Sequence, residues 1–241
     1  MKIPYMTFSP EDKTLIFSYE DIQPTQDKDI WINKNGTLSH TINTNRNGYL
    51  EWLDVINEDV QIVIFNENFK NVKPKFTSHW FQGLINLKEI KNLNFLNTDE
   101  VEDMRFMFYE CSSLKNIDLS NFNTSKVKNF SYMFSFDESL ENLDISSFSN
   151  QSVIWENKPS NEFDNGYASM FWGCNNLKTI YIGNSWDETQ EVLPMSGWLF
   201  GDCPVLKGEK GSIPFDPEYD GIYARVDRGL EKPGYFTLRE K

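Results

Sequence analysis

The chain repeats one hydrophobic pattern five times: a phenylalanine, five intervening residues, and a leucine that opens a short apolar segment. The pairs are Phe81 and Leu87, Phe108 and Leu114, Phe134 and Leu140, Phe171 and Leu177, and Phe200 and Leu206. Successive phenylalanines are separated by 27, 26, 37 and 29 residues. A constant internal offset at a nearly constant period is typical of stacked repeats, in which each unit buries its apolar side against its neighbours.

Within one unit, the spacing of apolar residues predicts two elements. Val101, Met104, Met107 and Phe108 recur at helical spacing, which predicts a short helix of about two turns. Residues 114–119 then alternate like a half-buried strand, with Leu and Ile pointing inward. The predicted fold class is an α/β repeat: a leucine-rich-repeat-like solenoid with a parallel strand ladder on one side and short helices on the other.

The two ends of the chain differ from the repeats. Residues 1–58 carry a strand-like segment and Asn-Gly turn signals, so we expect a β-rich N-terminal cap there. Residues 59–207 hold the repeats, with a first ladder strand at 60–65. Residues 208–241 are expected to form a C-terminal cap that closes with a β-hairpin, because the apolar end of a stack must be covered.

The third unit is longer than the others, and its extra residues fall within 154–166. Insertions in a repeat stack leave it as surface loops, often on a binding face. A tolerated insertion without a role explains the same residues equally well. In the turn after the strand, Phe122 and Phe148 recur together with Phe95, which predicts an internal aromatic column.

Composition and charge narrow the classes of function. Hydrophobic residues make up 39% of the chain and aromatic residues 15%, which is ample for a packed core. The net charge of −13 argues against nucleic acid and against an anionic membrane surface as partners. No apolar run is long enough to span a bilayer. The first residues lack the apolar stretch of a signal peptide, which fits either an intracellular protein or a mature or excised segment of a longer chain.

The three cysteines occupy one structural position. Cys111, Cys174 and Cys203 each follow the repeat phenylalanine by three residues, and Asp137 takes the same position in the unit of Phe134. Three cysteines cannot all pair within the chain, so we expect buried, reduced thiols. A disulfide between Cys174 and Cys203, which lie in neighbouring units, is the alternative.

The repeat resembles a known family. The run 114–134, LKNIDLSNFNTSKVKNFSYMF, is similar to the repeat of the BspA-like leucine-rich-repeat surface proteins of bacteria. The stretches 62–81, 181–186 and 223–237 also resemble the Bacteroides-type members. Departures from the consensus are Phe130 and Leu199 for methionine and Asp137 for cysteine. The resemblance implies a secreted or cell-surface protein that adheres to host or matrix proteins without catalysis.

The sequence has few residues suited to catalysis or to metal binding. His40 and His79 are the only histidines, and neither has a cysteine or histidine at ligand spacing. Carboxylates are numerous but scattered, and there is no phosphate loop or nucleophile elbow. The segment 216–227 imitates a calcium loop, but Pro217 and Arg225 favour a turn. We therefore expect no enzyme, no catalytic residues, no cofactor and no metal.

The remaining candidates form a binding surface. Alternate strand residues should point outward and form a polar column, of the kind that solenoids use to bind extended partners. The leading hypothesis is an extracellular host or matrix protein as partner, and the alternative is a glycan held by Trp155 and Tyr181. The candidate ligand-binding residues are Asn116, Asp118, Asn142, Asp144, Tyr181 and Trp155.

Overall fold

The computed structural model describes residues 2–21, 30–32, 38–41, 56–153, 166–188, 198–211 and 220–239. Over these residues the chain forms nine β-strands and three 3₁₀ helices, and the helices span Glu67–Asn71, Leu93–Phe95 and Asp220–Tyr223. None of the helices in this part of the chain is long and apolar enough to cross a membrane. The Asn-Gly turns predicted near the N-terminus lie outside the described residues, as does all of the insertion except Gly166.

The first sheet has six strands: β1 (Lys2–Ser9), β2 (Thr14–Asp21), β3 (Ile30–Ile32), β4 (Leu38–Thr41), β5 (Ile62–Phe65) and β6 (Glu89–Lys91). Their spatial order is β3-β4-β1-β2-β5-β6. The pairs among β1 to β4 are antiparallel, whereas β2, β5 and β6 are parallel to one another. The N-terminal strands thus continue edge to edge into the repeats, and Leu15, Val63 and Ile90 lie side by side.

The second sheet consists of three parallel strands, β7 (Asn142–Ile145), β8 (Thr179–Ile182) and β9 (Phe236–Leu238). Leu143, Ile180 and Phe236 are neighbours across it, and all three are fully buried. The expected C-terminal β-hairpin is therefore wrong for the described residues. β9 is instead a third parallel strand, and its Phe236 side chain is fully buried against the repeats.

The unit between the two sheets has no regular strand. The sequence predicts a half-buried strand at 114–119, yet the backbone of these residues forms no hydrogen-bonded strand ladder. Leu114 and Leu119 are nevertheless buried, and Ile117 is only partly buried against the core. The apolar alternation therefore predicts the inward side chains more reliably than it predicts the hydrogen bonds of the backbone.

Opposite the leucines in each unit, the segment around the repeat phenylalanine forms a second layer, which we call the turn layer. Its units are joined by backbone hydrogen bonds: the Phe81 N–H donates to Met107 O at 2.9 Å, and Phe108 N–H donates to Met133 O at 2.9 Å. Phe134 N–H bonds to Met170 O at 2.9 Å, and Phe171 N–H to Leu199 O at 3.0 Å. These bonds tie each unit to the next one along the chain.

The short helices predicted for this layer are wrong. The residues two before and two after every repeat phenylalanine have positive φ, which a right-handed helix does not allow. These left-handed residues are His79, Gly83, Phe106, Glu110, Tyr132, Phe136, Ser169, Gly173, Trp198 and Asp202. Each one reverses the local turn, so the N–H groups point to the neighbouring unit rather than along a helix. The architecture is repeat-like, with turns where helices were expected.

The core lies between the leucines and the turn layer. The five repeat phenylalanines stack ring on ring, with successive centroids 5.2, 5.5, 6.0 and 5.5 Å apart. Phe122 and Phe148 stack at 6.2 Å, which confirms the predicted aromatic column for that pair. One hydrophobic cluster runs from Met6 to Phe236. The N-terminal strands, the repeats and β9 therefore share a single core.

The cysteine position also repeats its contacts. Each sulfhydryl donates to the carbonyl of the repeat phenylalanine one unit earlier: Cys111 to Phe81 at 3.2 Å, Cys174 to Phe134 at 3.0 Å, and Cys203 to Phe171 at 3.0 Å. All three thiols are free. Cys111 and Cys174 are buried, but Cys203 is only partly buried, so the expected burial holds for two of the three.

Candidate functional site

The candidate site is the strand face, the outward side chains of residues 116–118, 142–144 and 179–181. Each segment follows a buried leucine, so its alternate residues are directed to solvent. Asn116, Asp118 and Asn142 are exposed, whereas Asp144 and Tyr181 are partly buried. The parallel register places Asp144 directly beside Tyr181. Trp155, the sixth predicted residue, lies outside the described residues.

The two aspartates are held in the same local geometry. Asp118 Oδ1 accepts the Ser120 N–H at 3.0 Å, and Asp144 Oδ1 accepts the Ser146 N–H at 2.9 Å. The hydrogen bonds from Ser120 lower the pKa of Asp118. Burial alone would raise the pKa of Asp144, but hydrogen bonds from Ser146 and Arg239 outweigh it and lower that pKa. Both carboxylates are therefore ionised at neutral pH.

Arg239 is a member of this surface that sequence reasoning missed. Its guanidinium donates to Asp144 Oδ2 and lies over the Tyr181 ring, 4.7 Å from the centroid. The Arg239 N–H is anchored to Ile182 O at 2.8 Å, just past the end of β9. No local pattern links residue 239 to residue 144; only the pairing of β9 with β8 brings them together. The column is consequently open at Asp118 and covered at Asp144.

A row of charged residues borders the column. The residue after each repeat leucine is Lys88, Lys115, Glu141, Lys178 or Lys207. Lys178 pairs with Glu141 at 2.7 Å, and Lys88 Nζ donates to Gln61 Oε1 at 3.0 Å. The strand face thus carries a mostly basic row beside the polar column with its two aspartates, although the whole chain has a net charge of −13. Such mixed charge fits a partner with both signs of charge at matching positions.

A polar pocket of about 370 Å³ lies beyond this face, lined by Gln151, Asn184, Ser185, Trp186, Asp187, Glu188, Arg228 and Lys232. Two of its charged side chains, Arg228 and Glu188, form an ion pair in which Arg228 donates to both carboxylate oxygens, at 2.7 and 3.0 Å. The pairing raises the pKa of Arg228. It holds Glu188 ionised, which does not suit a carboxyl group that must gain and lose a proton in catalysis.

The two histidines and the calcium-like segment are the sequence's candidates for acid–base chemistry or metal binding. His79 is partly buried, burial lowers its pKa, and its Nδ1 lies 2.5 Å from Gln82 Oε1. The side chain of His40 lies outside the description. Asp227 accepts the N–H groups of Lys210 and Gly229 at 2.8 and 2.9 Å, so it organises a turn. Residues 216–219 of the calcium-like segment are not described. Elsewhere in the described ranges, no cluster of three or more His, Cys, Asp or Glu residues suits a metal.

Comparison with known proteins places the chain as follows. No curated protein matches it. Among solved structures, it is similar to a leucine-rich repeat protein from Bacteroides ovatus ATCC 8483, with 15% identity and a TM-score of 0.30. The alignment covers 76% of this chain and 46% of that one, so this chain spans less than half of its length. The family DUF285, described as Mycoplasma protein of unknown function, matches residues 75–203, which is more than half of the sequence, and the chain belongs to that family.

Proposed function

We propose that this protein is a non-enzymatic recognition module that binds an extracellular protein of a host or its matrix through the strand face. In this proposal residues 59–207 form a BspA-like leucine-rich-repeat solenoid, closed by caps at 1–58 and 208–241. The module acts in an extracellular setting or at the surface of the cell.

The observation that carries the proposal is the exposed polar column on the strand face. Asn116, Asp118 and Asn142 are exposed, and the mostly basic row described above runs beside them. A stack of units presents such groups at regular spacing, which suits an extended protein partner better than a small molecule. The repeat run 114–134 supports an adhesive role through its resemblance to bacterial surface proteins.

The carbohydrate alternative has less support. A sugar platform needs an open aromatic face, and the Tyr181 ring is covered on one side by the Arg239 guanidinium. A sugar that stacked on this side would first have to displace a cation held by Asp144. Trp155 is the other aromatic residue of this alternative, and its substitution tests glycan binding in the same experiment.

The test is a panel of immobilised matrix proteins and a glycan array, both probed with the same purified sample. Asp118→Lys should weaken protein binding by tenfold or more, because Asp118 is the open carboxylate of the column and pairs with no cationic side chain among the described residues. The matched control is Glu231→Lys, which makes the same charge change at an exposed carboxylate in the turn before β9.

Equal binding by wild type and Asp118→Lys would contradict the strand face as the binding surface. Glycan binding alone, lost in Trp155→Ala, would replace the proposal with the carbohydrate alternative. Thermal melting of each variant checks that the fold is intact.

A further inference from the structure

A second surface lies on the turn layer and carries none of the residues proposed above. Seven aromatic side chains form a band across five successive units, which we call the aromatic strip. Its members are His79, Phe106, Tyr109, Tyr132, Phe136, Trp172 and Trp198. Tyr132 is nearly buried, Trp198 is 52% exposed, and the other five are partly exposed.

The rings of the strip form a continuous surface. His79 stacks on Phe106 with centroids 4.9 Å apart, and Phe106 stacks on Tyr132 at the same distance. Tyr109 meets Phe136 edge to face at 5.6 Å, and Phe136 lies 4.8 Å from Trp172. A Cβ added at Gly201 would lie 2.9 Å from the Trp172 ring and 3.0 Å from the Trp198 ring, so both indoles pack over that glycine.

Several rings of the strip are carried by residues with a strained, left-handed backbone. Phe106, Tyr132, Phe136 and Trp198 have φ between 56° and 67°, a region that bulky residues seldom adopt. Each such residue is strained relative to right-handed backbone, because its Cβ approaches the following carbonyl oxygen. Glycine or asparagine would fit these positions with less strain. Strained residues kept at one repeated position are a reason to look for function there.

Two carboxylates lie within the strip. Glu110 and Asp202 occupy the position two residues after the repeat phenylalanine, and Asp202 Oδ2 accepts the Trp172 indole N–H at 3.1 Å. Within the described ranges, neither forms an ion pair with a cationic side chain. Burial, together with the neighbouring Glu110, raises the pKa of Tyr109 to about 12. The strip therefore combines partly exposed aromatic rings with two carboxylates that can attract a cation.

From this combination we propose that the aromatic strip binds an extended, basic protein segment. Lysine or arginine stems lie along the ring edges while their charged heads reach Glu110 and Asp202, as amphipathic cationic side chains do on apolar surfaces. The net charge of −13 draws such a segment towards the protein. This surface is separate from the strand face and does not depend on it.

The geometry also sets the spacing of the basic residues. Glu110 and Asp202 are three units apart, and units repeat at about 5 Å, so roughly 15 Å separates their positions. An extended chain advances about 3.3 Å per residue and points alternate side chains to one side. Basic residues at i and i+4 therefore match the two carboxylates.

The test uses fluorescein-labelled Ser/Thr peptides with two lysines at i and i+4, followed by fluorescence anisotropy at low salt. Peptides with adjacent lysines, or with two glutamates, serve as comparisons. Glu110→Gln combined with Asp202→Asn should weaken binding of the i,i+4 peptide at least tenfold. Trp198→Ser should weaken it severalfold at unchanged charge, and this ring is exposed enough to be removed without unfolding the protein.

The matched control is Glu100→Gln combined with Glu102→Gln, which removes the same charge from carboxylates that pair with Lys126 and Lys128. This control should bind like wild type. Equal loss in both double variants would overturn the proposal in favour of general charge attraction. Unchanged binding by the strip variants would also overturn it, as would neutral-glycan binding that is lost only in Trp198→Ser. Asp118→Asn should leave peptide binding intact, which separates this surface from the strand face.

Discussion

At the scale of single residues, Asp137 is the departure from the repeat with the clearest physical effect. It occupies the cysteine position, is fully buried, and has one carboxylate oxygen bonded to the Cys111 N–H at 2.8 Å. The other oxygen has no partner among the described residues. Burial raises the pKa of Asp137 well above its usual range. A cysteine there would donate to a carbonyl without any comparable desolvation.

Asp137 should make the stability fall as the pH rises. In the unfolded chain the carboxyl ionises near its usual pKa, whereas in the folded protein it stays protonated to higher pH. The folded state is therefore favoured at low pH, and this advantage is lost between the unfolded and the folded pKa. We expect Asp137→Asn to melt above wild type at pH 8, with the gap at least about 2 °C wider than at pH 4.

Melting curves from pH 4 to pH 8 measure this difference, and Asp12→Asn, at an exposed position, is the control. A constant gap between Asp137→Asn and wild type over that range would show that the carboxyl titrates normally in the folded protein.

At the scale of elements, the hydrophobic pattern predicts which side chains are inward but not the backbone that carries them. Met104, Met107 and Phe108 recur at helical spacing and are all buried, as predicted. The intervening Phe106 has φ of 56°, which ends any helix. Nothing in an aromatic residue indicates a left-handed backbone, because the preference comes from hydrogen bonds to the next unit. Among the left-handed residues, Gly83 and Gly173 are the strongest local signals.

Gly173 should be one of the least replaceable residues of the turn layer. Its φ is +77°, and an added Cβ would lie 2.6 Å from the Phe136 ring. Gly173→Ala therefore combines backbone strain with overpacking, and each costs roughly 1–3 kcal/mol. The matched control is Gly211→Ala, where φ is +73° and nothing lies within 4 Å. Urea unfolding of both variants isolates the contact with Phe136. Equal losses would mean that Phe136 moves aside freely.

The missing strand at 114–119 has a measurable consequence. Ile117 is partly buried, whereas the equivalent Leu143 in β7 is fully buried. We expect Leu143→Asp to cost more than about 4 kcal/mol and Ile117→Asp about 1–3 kcal/mol. Asn142→Asp, at an exposed neighbouring position, is the control and should be nearly neutral. If Leu143→Asp and Ile117→Asp lower the free energy of unfolding equally, residue 117 lies as deep in the core as residue 143.

At the scale of the whole molecule, the sequence predicts the period of the repeats, but it does not predict which strands cover the two ends of the repeat stack. The phenylalanine and leucine positions recur because every unit meets the same neighbours. The attachment of β2 to β5, and of β9 to β8, joins residues far apart in sequence and has no local pattern. The same holds for Arg239, which reaches Asp144 only through β9. The sequence therefore predicted the candidate site as an open column. The contact of Arg239 with Asp144, which covers one end of that column, is visible only in the structure.

β9 covers the C-terminal end of the second sheet by pairing with β8. Phe236 is fully buried and packs against Trp186 at 5.4 Å, Phe200 at 5.6 Å and Phe171 at 6.4 Å. Phe236→Ala should cost about 3–5 kcal/mol, because the ring leaves a cavity in the shared core. Arg239→Ala removes a mostly exposed ion pair and should cost no more than about 1 kcal/mol. Urea unfolding measures both. In hydrogen exchange, Phe236→Ala should lose protection first in β8 and β9. Unchanged protection there, with an unchanged free energy of unfolding, would mean that β9 is not part of the core that holds the repeats together.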